Sequence, residues 1–317
     1  MTYAPLSELS NEELRKIHNR IRQTKINVLL VGGTGVGKSS TINALFQSHE
    51  KESNAVVGEG TTPETMDIGD YELENLVIWD TPGLGDSPEK DKEHQEKIVH
   101  LLHDKDENDQ PLIDLVFLIL DAGSRDFSSA YTLIKDVILP NLDESDQDRI
   151  LIGLNQADQA MKGHYWNKEE NKPEPKLVER LNELSQTVQS RIKNDTGLDI
   201  DPIYYSAGCM MGGEVLSRPY NLQKLLSFIL DRLPKKKRAA IAFNINKNET
   251  NFQSNDDNEN YQEKVDKSIL SSLMDYIKDI AGDIAKKVGE ELKTRATDPD
   301  NIKWAITSLL SLIKKSK

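Results

Sequence analysis

The chain has 317 residues, 37% of them hydrophobic and 29% charged, enough for one large soluble domain with an appendage or for two small ones. Its net charge of −13 excludes general coating of nucleic acid, which needs a basic face, and its single cysteine, Cys209, excludes a disulfide framework and fits a reducing cytosol. The opening stretch MTYAPLSELSNEELRK is polar and acidic, unlike a signal peptide. No apolar run reaches the ~18–20 residues of a spanning helix, so a cytoplasmic protein with no transmembrane segment is expected.

In chain order, Ser10 and Glu13 form a capping-box pattern that predicts a helix ending near Gln23. INVLLVGG (26–33) is a short branched apolar run that stops at glycines, the pattern of a buried strand. DLVFLILDAG (114–123) and RILIGLNQAD (149–158) share that form, and DPIYYSAG (201–208) is a weaker fourth. MDIGDYELENLVIWD (66–80) reads as a hairpin about Glu74-Asn75 that adds one antiparallel edge strand. Near-continuous apolar strands alternating with helical stretches predict an α/β fold: a mostly parallel six-stranded sheet with helices on both faces.

After Pro234 the composition shifts. KKKR (235–238) and NKNETNFQSNDDNENYQE (246–263) lack periodicity and predict a flexible linker over 235–265. Beyond it, Ile269, Leu273, Ile277, Ile280, Ile284 and Val288 recur at steps of three and four, predicting one amphipathic helix over 266–293. Asp298 and Pro299 predict the start of a second helix over 300–317, which ends in KKSK. This helical segment is expected either to pack on its own domain or to act as a mobile element. Its lysines suit an anionic surface such as a ribosome or a membrane face.

GGTGVGKS (32–39) fits G-x-x-x-x-G-K-[ST] at every fixed position, between a strand and a helical run. Backbone N–H groups there turn inward on phosphates, and the helix N-terminus adds its dipole. The candidate phosphate-binding residues are Gly33, Thr34, Gly35, Val36, Gly37, Lys38, Ser39 and Ser40. Lys38 is expected on the β- and γ-phosphates and the Ser39 hydroxyl on Mg²⁺. Asp80, at the end of a later strand, is the expected second Mg²⁺ carboxylate, and the Gly83 N–H in DTPG faces a γ-phosphate. A threonine must close over the metal; Thr65 directly precedes the hairpin and is the first candidate, Thr62 the second. In NQAD, Asp158 can accept both the N1–H and the amino group of guanine, and Asn155 would tie this loop to the phosphate loop and the base edge. Gln156 stands where a lysine is usual. Ser206, Ala207 and Gly208 would offer a backbone N–H to the guanine carbonyl. GTP or GDP with Mg²⁺ is therefore the expected ligand.

Over residues 25–232 the chain resembles Era-like GTPases of the translation-factor-related class. It is most similar to bacterial YeeP-like GTPases and more distantly to the immunity-related GTPases. The resemblance is carried by GGTGVGKSSTINALF, TPETMDIGDYELENLVIWDTPGLGDS, LDAGSRDFSSAYTLIKDVILP and NQADQAMKGHYWN. It implies a P-loop GTPase fold for a GTPase domain over 25–234; capping and periodicity, not the resemblance, place an N-terminal helix over 1–24 before it and a C-terminal helical appendage over 266–317 after it. It also implies that Thr65 caps the Mg²⁺ site. Leu84 occupies a position where many nucleotide switches carry a water-orienting glutamine. Some relatives use a potassium ion held by a P-loop asparagine, but Gly35 stands at that position here. In others a dimer partner or another protein completes the site. Arg125 either stabilises transition-state charge or pairs with Asp126 or Asp121 to position its loop. The expected function is a GTP-hydrolysing switch with slow basal turnover raised by association, for example in a nucleotide-dependent homodimer. A catalytically weak GTP-binding interaction module is the alternative.

Overall fold

The computed structural model describes residues 8–46, 69–73, 75–81, 88–124, 126–211 and 214–295, with 307 and 311 singly. Helix α1 (Asn11–Gln23) starts on the expected capping box: the Ser10 hydroxyl accepts the Glu13 N–H at 3.2 Å, and Glu13 accepts the Ser10 N–H at 2.8 Å. These bonds satisfy two of the N–H groups a helix start leaves open.

The strands that follow are β1 (Ile26–Val31), β2 (Gly69–Leu73), β3 (Leu76–Asp80), β4 (Leu115–Asp121) and β5 (Ile150–Asn155). Two short pairs lie outside the main sheet: β6 (Trp166–Asn167) with β7 (Lys172–Pro173), and β9 (Cys209–Met211) with β10 (Glu214–Ser217). With β8 (Ile203–Tyr204) the main sheet has six strands in the order β2-β3-β1-β4-β5-β8. All neighbours are parallel except β2, which runs antiparallel to β3 at the edge. Because β1 pairs with β3 on one side and β4 on the other, strand order reverses there, the point where open α/β sheets form a ligand crevice.

Alternate residues of the strands feed two cores. Val28, Leu30, Phe117 and Leu151 face α1, α2 (Lys38–Leu45) and α6 (Leu222–Arg232). Leu29, Val31, Val116, Leu118 and Ile152 face α3 (Pro88–His103), α4 (Ser128–Thr132) with its π-helical continuation Leu133–Ile138, and α5 (Pro175–Thr196). Burying each large aliphatic side chain in this way contributes about 1.5–3 kcal/mol relative to exposure.

The C-terminal region differs from its composition-based expectation. Where a flexible linker was predicted, the chain forms a tight turn at Lys235–Lys237, the short helix α7 (Arg238–Ile241) and a bonded polar segment leading to α8 (Tyr261–Ile280). Lys237 pairs at 2.8 Å with the buried Asp114, which also accepts the Asn27 N–H at 2.9 Å. Asn244, Asn246 and Asn251 here donate to backbone carbonyls of other elements, which composition alone does not reveal. The predicted single stripe is two helices, α8 and α9 (Gly282–Arg295), broken at Ala281. Val265, Ile269, Leu273 and Ile277 of α8 are buried in the first core, and Tyr276 meets the Thr24 hydroxyl at 2.8 Å. The start of the predicted second helix, Asp298 and Pro299, lies outside the described residues.

Candidate nucleotide site

Three loops converge at the C-terminal ends of β1, β5 and β8. The first leaves β1 at Gly32, whose missing Cβ would stand 2.5 Å from the Ile119 carbonyl oxygen on β4. It enters α2 through Gly37, at φ +88°, where a Cβ would fall 2.3 Å from Asn155 Nδ2. Only glycine fits both constraints at once.

Lys38, in the first turn of α2, points back into this loop and is nearly buried. Its Nζ donates to the Gly32 carbonyl at 3.0 Å and lies 3.9 Å from Asp80 Oδ1. Burial lowers the Lys38 pKa, with Asp80 opposing. Burial pushes Asp80 up to about 6 against the attraction of Lys38. Asp80 Oδ1 is buried and has no hydrogen-bond partner among the described residues. Thr81 fixes the end of β3 beside it, donating from N–H and hydroxyl to the Leu30 carbonyl at 3.1 and 3.0 Å. A buried carboxylate oxygen that faces Lys38 only at ion-pair distance, with no hydrogen bond from the described residues, suits a hard, oxygen-liganded cation. The described residues contain no cluster of three His, Cys, Asp or Glu able to hold a metal. Asp80 and the Ser39 hydroxyl are the residues here that could hold such a cation.

The second loop begins at Asn155, 1% exposed at the end of β5. Its Nδ2 donates to the Val36 carbonyl at 2.8 Å and its Oδ1 accepts the Ala207 N–H at 3.0 Å, joining all three loops through one side chain. Gln156 adopts φ +62° and donates from Nε2 to the Gly35 carbonyl at 2.9 Å. The residue standing in for a lysine therefore still reaches the phosphate loop, without the positive charge. Asp158 is buried and accepts from Gln159 Nε2 at 3.0 Å. In the third loop Ser206 pairs with Tyr220 through both backbone groups, at 3.0 and 2.9 Å. The Gly208 N–H donates to Ser206 Oγ at 3.2 Å. All three N–H groups of 206–208 have protein acceptors, so none stands open for a guanine carbonyl as the sequence alone suggests. One must be shared or exchanged for that contact.

The structure adds an anchor that the motifs do not contain. Thr41 Oγ1, on α2, donates to the Gly37 carbonyl at 2.8 Å and lies 2.8 Å from the hydroxyl of Tyr205, which is fully buried. Burial pushes that hydroxyl far above its ordinary pKa, so it stays neutral. Gly153 makes room for the ring, since a Cβ there would meet Tyr205 at 2.7 Å. Thr62, Thr65, Gly83, Leu84 and Arg125 lie outside the described residues. Of Arg125's suggested partners, Asp121 accepts the Gly123 N–H at 2.7 Å and Asp126 accepts the Ser128 N–H at 2.9 Å.

This fold and this cradle define a class: an α/β protein of the P-loop GTPase fold. Residues 27–156 match the family model described as 50S ribosome-binding GTPase. Translocase of chloroplast 108 from Physcomitrium patens is 36% identical over 100 residues, covering 32% of this chain and 10% of the translocase. Interferon-gamma-inducible GTPase 10 from Mus musculus is 35% identical over 80 residues, covering 25% of this chain and 19% of that protein. Probable GTP-binding protein EngB from Mycoplasmoides gallisepticum is 34% identical over 103 residues, 32% of this chain and 52% of EngB. The chain thus spans about a tenth of the translocase and about half of EngB. Among solved structures, Toc33 from Arabidopsis thaliana in complex with GDP and Mg²⁺ aligns over 73% of this chain and 93% of its own, with TM-score 0.43 and 17% identity.

Proposed function

We propose that this chain binds GTP and GDP with Mg²⁺ and hydrolyses GTP to GDP and phosphate. In this reading it is a molecular switch of slow basal turnover, stimulated by association, of the Era-like class and closest to YeeP-like GTPases. The observation that carries the reading is the joint at Asn155, which brings the phosphate loop, the guanine-reading loop and residues 206–208 to one point. Lys38 neutralises charge on the β- and γ-phosphates, and the loop N–H groups around Gly33–Ser40 hold the phosphate oxygens. Ser39, Thr65 and Asp80 hold Mg²⁺, which neutralises phosphate charge when bound. Asp158 accepts two guanine donors, a pattern adenine does not offer. The Gly83 N–H meets the γ-phosphate, and Arg125 adds charge where hydrolysis develops it.

Leu84 leaves the attacking water without a glutamine to orient it, so a second copy of the chain or another protein completes the site. The C-terminal helical segment over 266–317, with its terminal lysines, is the part proposed to contact a ribosome or an anionic membrane surface in the cytoplasm. Among the described residues no helix is long and apolar enough to cross a membrane. Two measurements test the reading. Mass spectrometry of the nucleotide carried through purification is expected to find GDP or GTP. Single-turnover hydrolysis is expected to speed up per molecule as protein concentration rises. Adenine nucleotide, or no hydrolysis at any concentration, overturns it.

A further inference from the structure

We propose that Asn246 and Asn251 are positioning residues for the phosphate cradle: they hold α2 from its far end and wire the C-terminal helices into nucleotide affinity. This rests on the nucleotide site proposed above. The last carbonyls of a helix have no partner within it and normally go to water or to a cap. At the end of α2 they go instead to a segment some two hundred residues later. Asn246 donates from Nδ2 to the Asn43 carbonyl and from its N–H to the Leu45 carbonyl, both at 2.9 Å. Asn251, 9% exposed, donates from Nδ2 to the Ala44 carbonyl between them, also at 2.9 Å. Ile245 bridges antiparallel to Phe46, and Asn244 donates to the Leu73 carbonyl at the end of β2. One segment thus grips the helix before residues 47–68 and the strand after them.

The same segment reaches the base side of the site. The Ser254 carbonyl accepts the Asn221 N–H at 2.8 Å, and the Asp256 N–H donates to Asn221 Oδ1 at 2.9 Å. Asn221 follows Tyr220, the backbone partner of Ser206. A few residues on, α8 begins and enters the core. Residues 244–256 therefore strap the phosphate half of the site to the base half and continue into the C-terminal helices.

Glycines cannot place Lys38 and Ser39 by packing, so the setting of α2 must do it. At eight residues this helix is about 12 Å long, and besides the core packing of Ile42 and Leu45 two polar devices hold it. Tyr205 holds it through Thr41, and the asparagines hold its carbonyl end. Both asparagines act through side-chain amide donors, which an alanine removes, leaving only the Asn246 N–H on Leu45, and which a carboxylate would turn into repulsion against carbonyl oxygens.

The test uses the full chain with Asn246→Ala, Asn251→Ala, the double variant and Asn251→Asp, at a temperature where circular dichroism shows each folded. Release of a fluorescent GDP analogue is timed with Mg²⁺ and with EDTA, and hydrogen exchange at residues 38–46 is followed without nucleotide. The expected result is about tenfold faster release from the double variant in Mg²⁺. EDTA should accelerate that release less than in the wild type, because the Ser39 contribution is already weakened, and exchange over 38–46 should rise. A lowered melting temperature with unchanged GDP release and unchanged EDTA response would reduce the asparagines to fold stabilisers and overturn the proposal. A wild-type chain that does not bind the GDP analogue refutes the nucleotide site itself. In that case hydrogen exchange decides the positioning claim, and unaltered exchange over 38–46 in the variants overturns it.

Discussion

Asn155 donates to the Val36 carbonyl at 2.8 Å, so the residue that opens the base loop also closes the phosphate loop. Asn155→Ala strands that carbonyl and the Ala207 N–H in a buried setting. The expected cost is about 2–4 kcal/mol of stability, read by urea denaturation, together with loss of GDP binding. Asn155→Asp keeps an acceptor for Ala207 but sets a buried carboxylate oxygen against the Val36 carbonyl, so the loss of stability should be at least as large and nucleotide binding should also fall. A markedly smaller loss than in Asn155→Ala would show that the contact with Val36 contributes little.

Gly37→Ala tests the cradle by shape alone. The new methyl group would stand 2.3 Å from Asn155 Nδ2 on a backbone at φ +88°. Nucleotide binding should be lost while circular dichroism retains the helices and sheet, because the clash is local to the loop. Retained GDP affinity would mean that the cradle does not depend on this close approach.

Asp80 predicts a pH dependence. Its carboxyl is pushed from 3.8 up to about 6, chiefly by burial and against Lys38, so the folded state holds its proton more tightly than the unfolded state. A raised pKa contributes stability that is whole below the unfolded value and lost as pH rises through the folded one. The span corresponds to up to about 3 kcal/mol. In Mg²⁺- and nucleotide-free protein, the stability of Asp80→Asn relative to wild type should rise by that order between pH 4 and pH 7. A flat difference would mark Asp80 as an ordinary solvated carboxylate.

The proposed base reading rests on Asp158. Asp158→Asn replaces an acceptor with a donor, so preference should shift from guanine toward xanthine nucleotides, measured by competing GDP against xanthosine diphosphate. Unchanged preference removes Asp158 from the base site.

Much of this arrangement is legible in the sequence. β1, β4 and β5 are buried on both faces, so they read as unbroken apolar runs, and Ser10 with Glu13 marks the start of α1 because capping is a local exchange. The phosphate loop is legible because its residue types fall within eight positions, although the contacts that demand Gly32 and Gly37 come from the distant Ile119 and Asn155. What stays hidden is long-range. Thr41 and Tyr205 are 164 positions apart, and Asn246 and Asn251 reach back 203 and 207 positions to α2. An asparagine-rich stretch reads as a solvated linker unless the carbonyls opposite it are known. The break at Ala281 escapes periodicity because Ile277 and Ile284 on either side keep the helical spacing.

The central claim, a guanine-specific nucleotide site built on Lys38 and Asn155, is met most directly by calorimetric titration of the nucleotide-free chain with GDP and with ADP in Mg²⁺. The account predicts one GDP per chain and ADP binding at least about a hundredfold weaker, since a site built to satisfy guanine donors leaves polar groups unpaired against adenine. Comparable affinity for ADP, or no heat with either nucleotide, would contradict it.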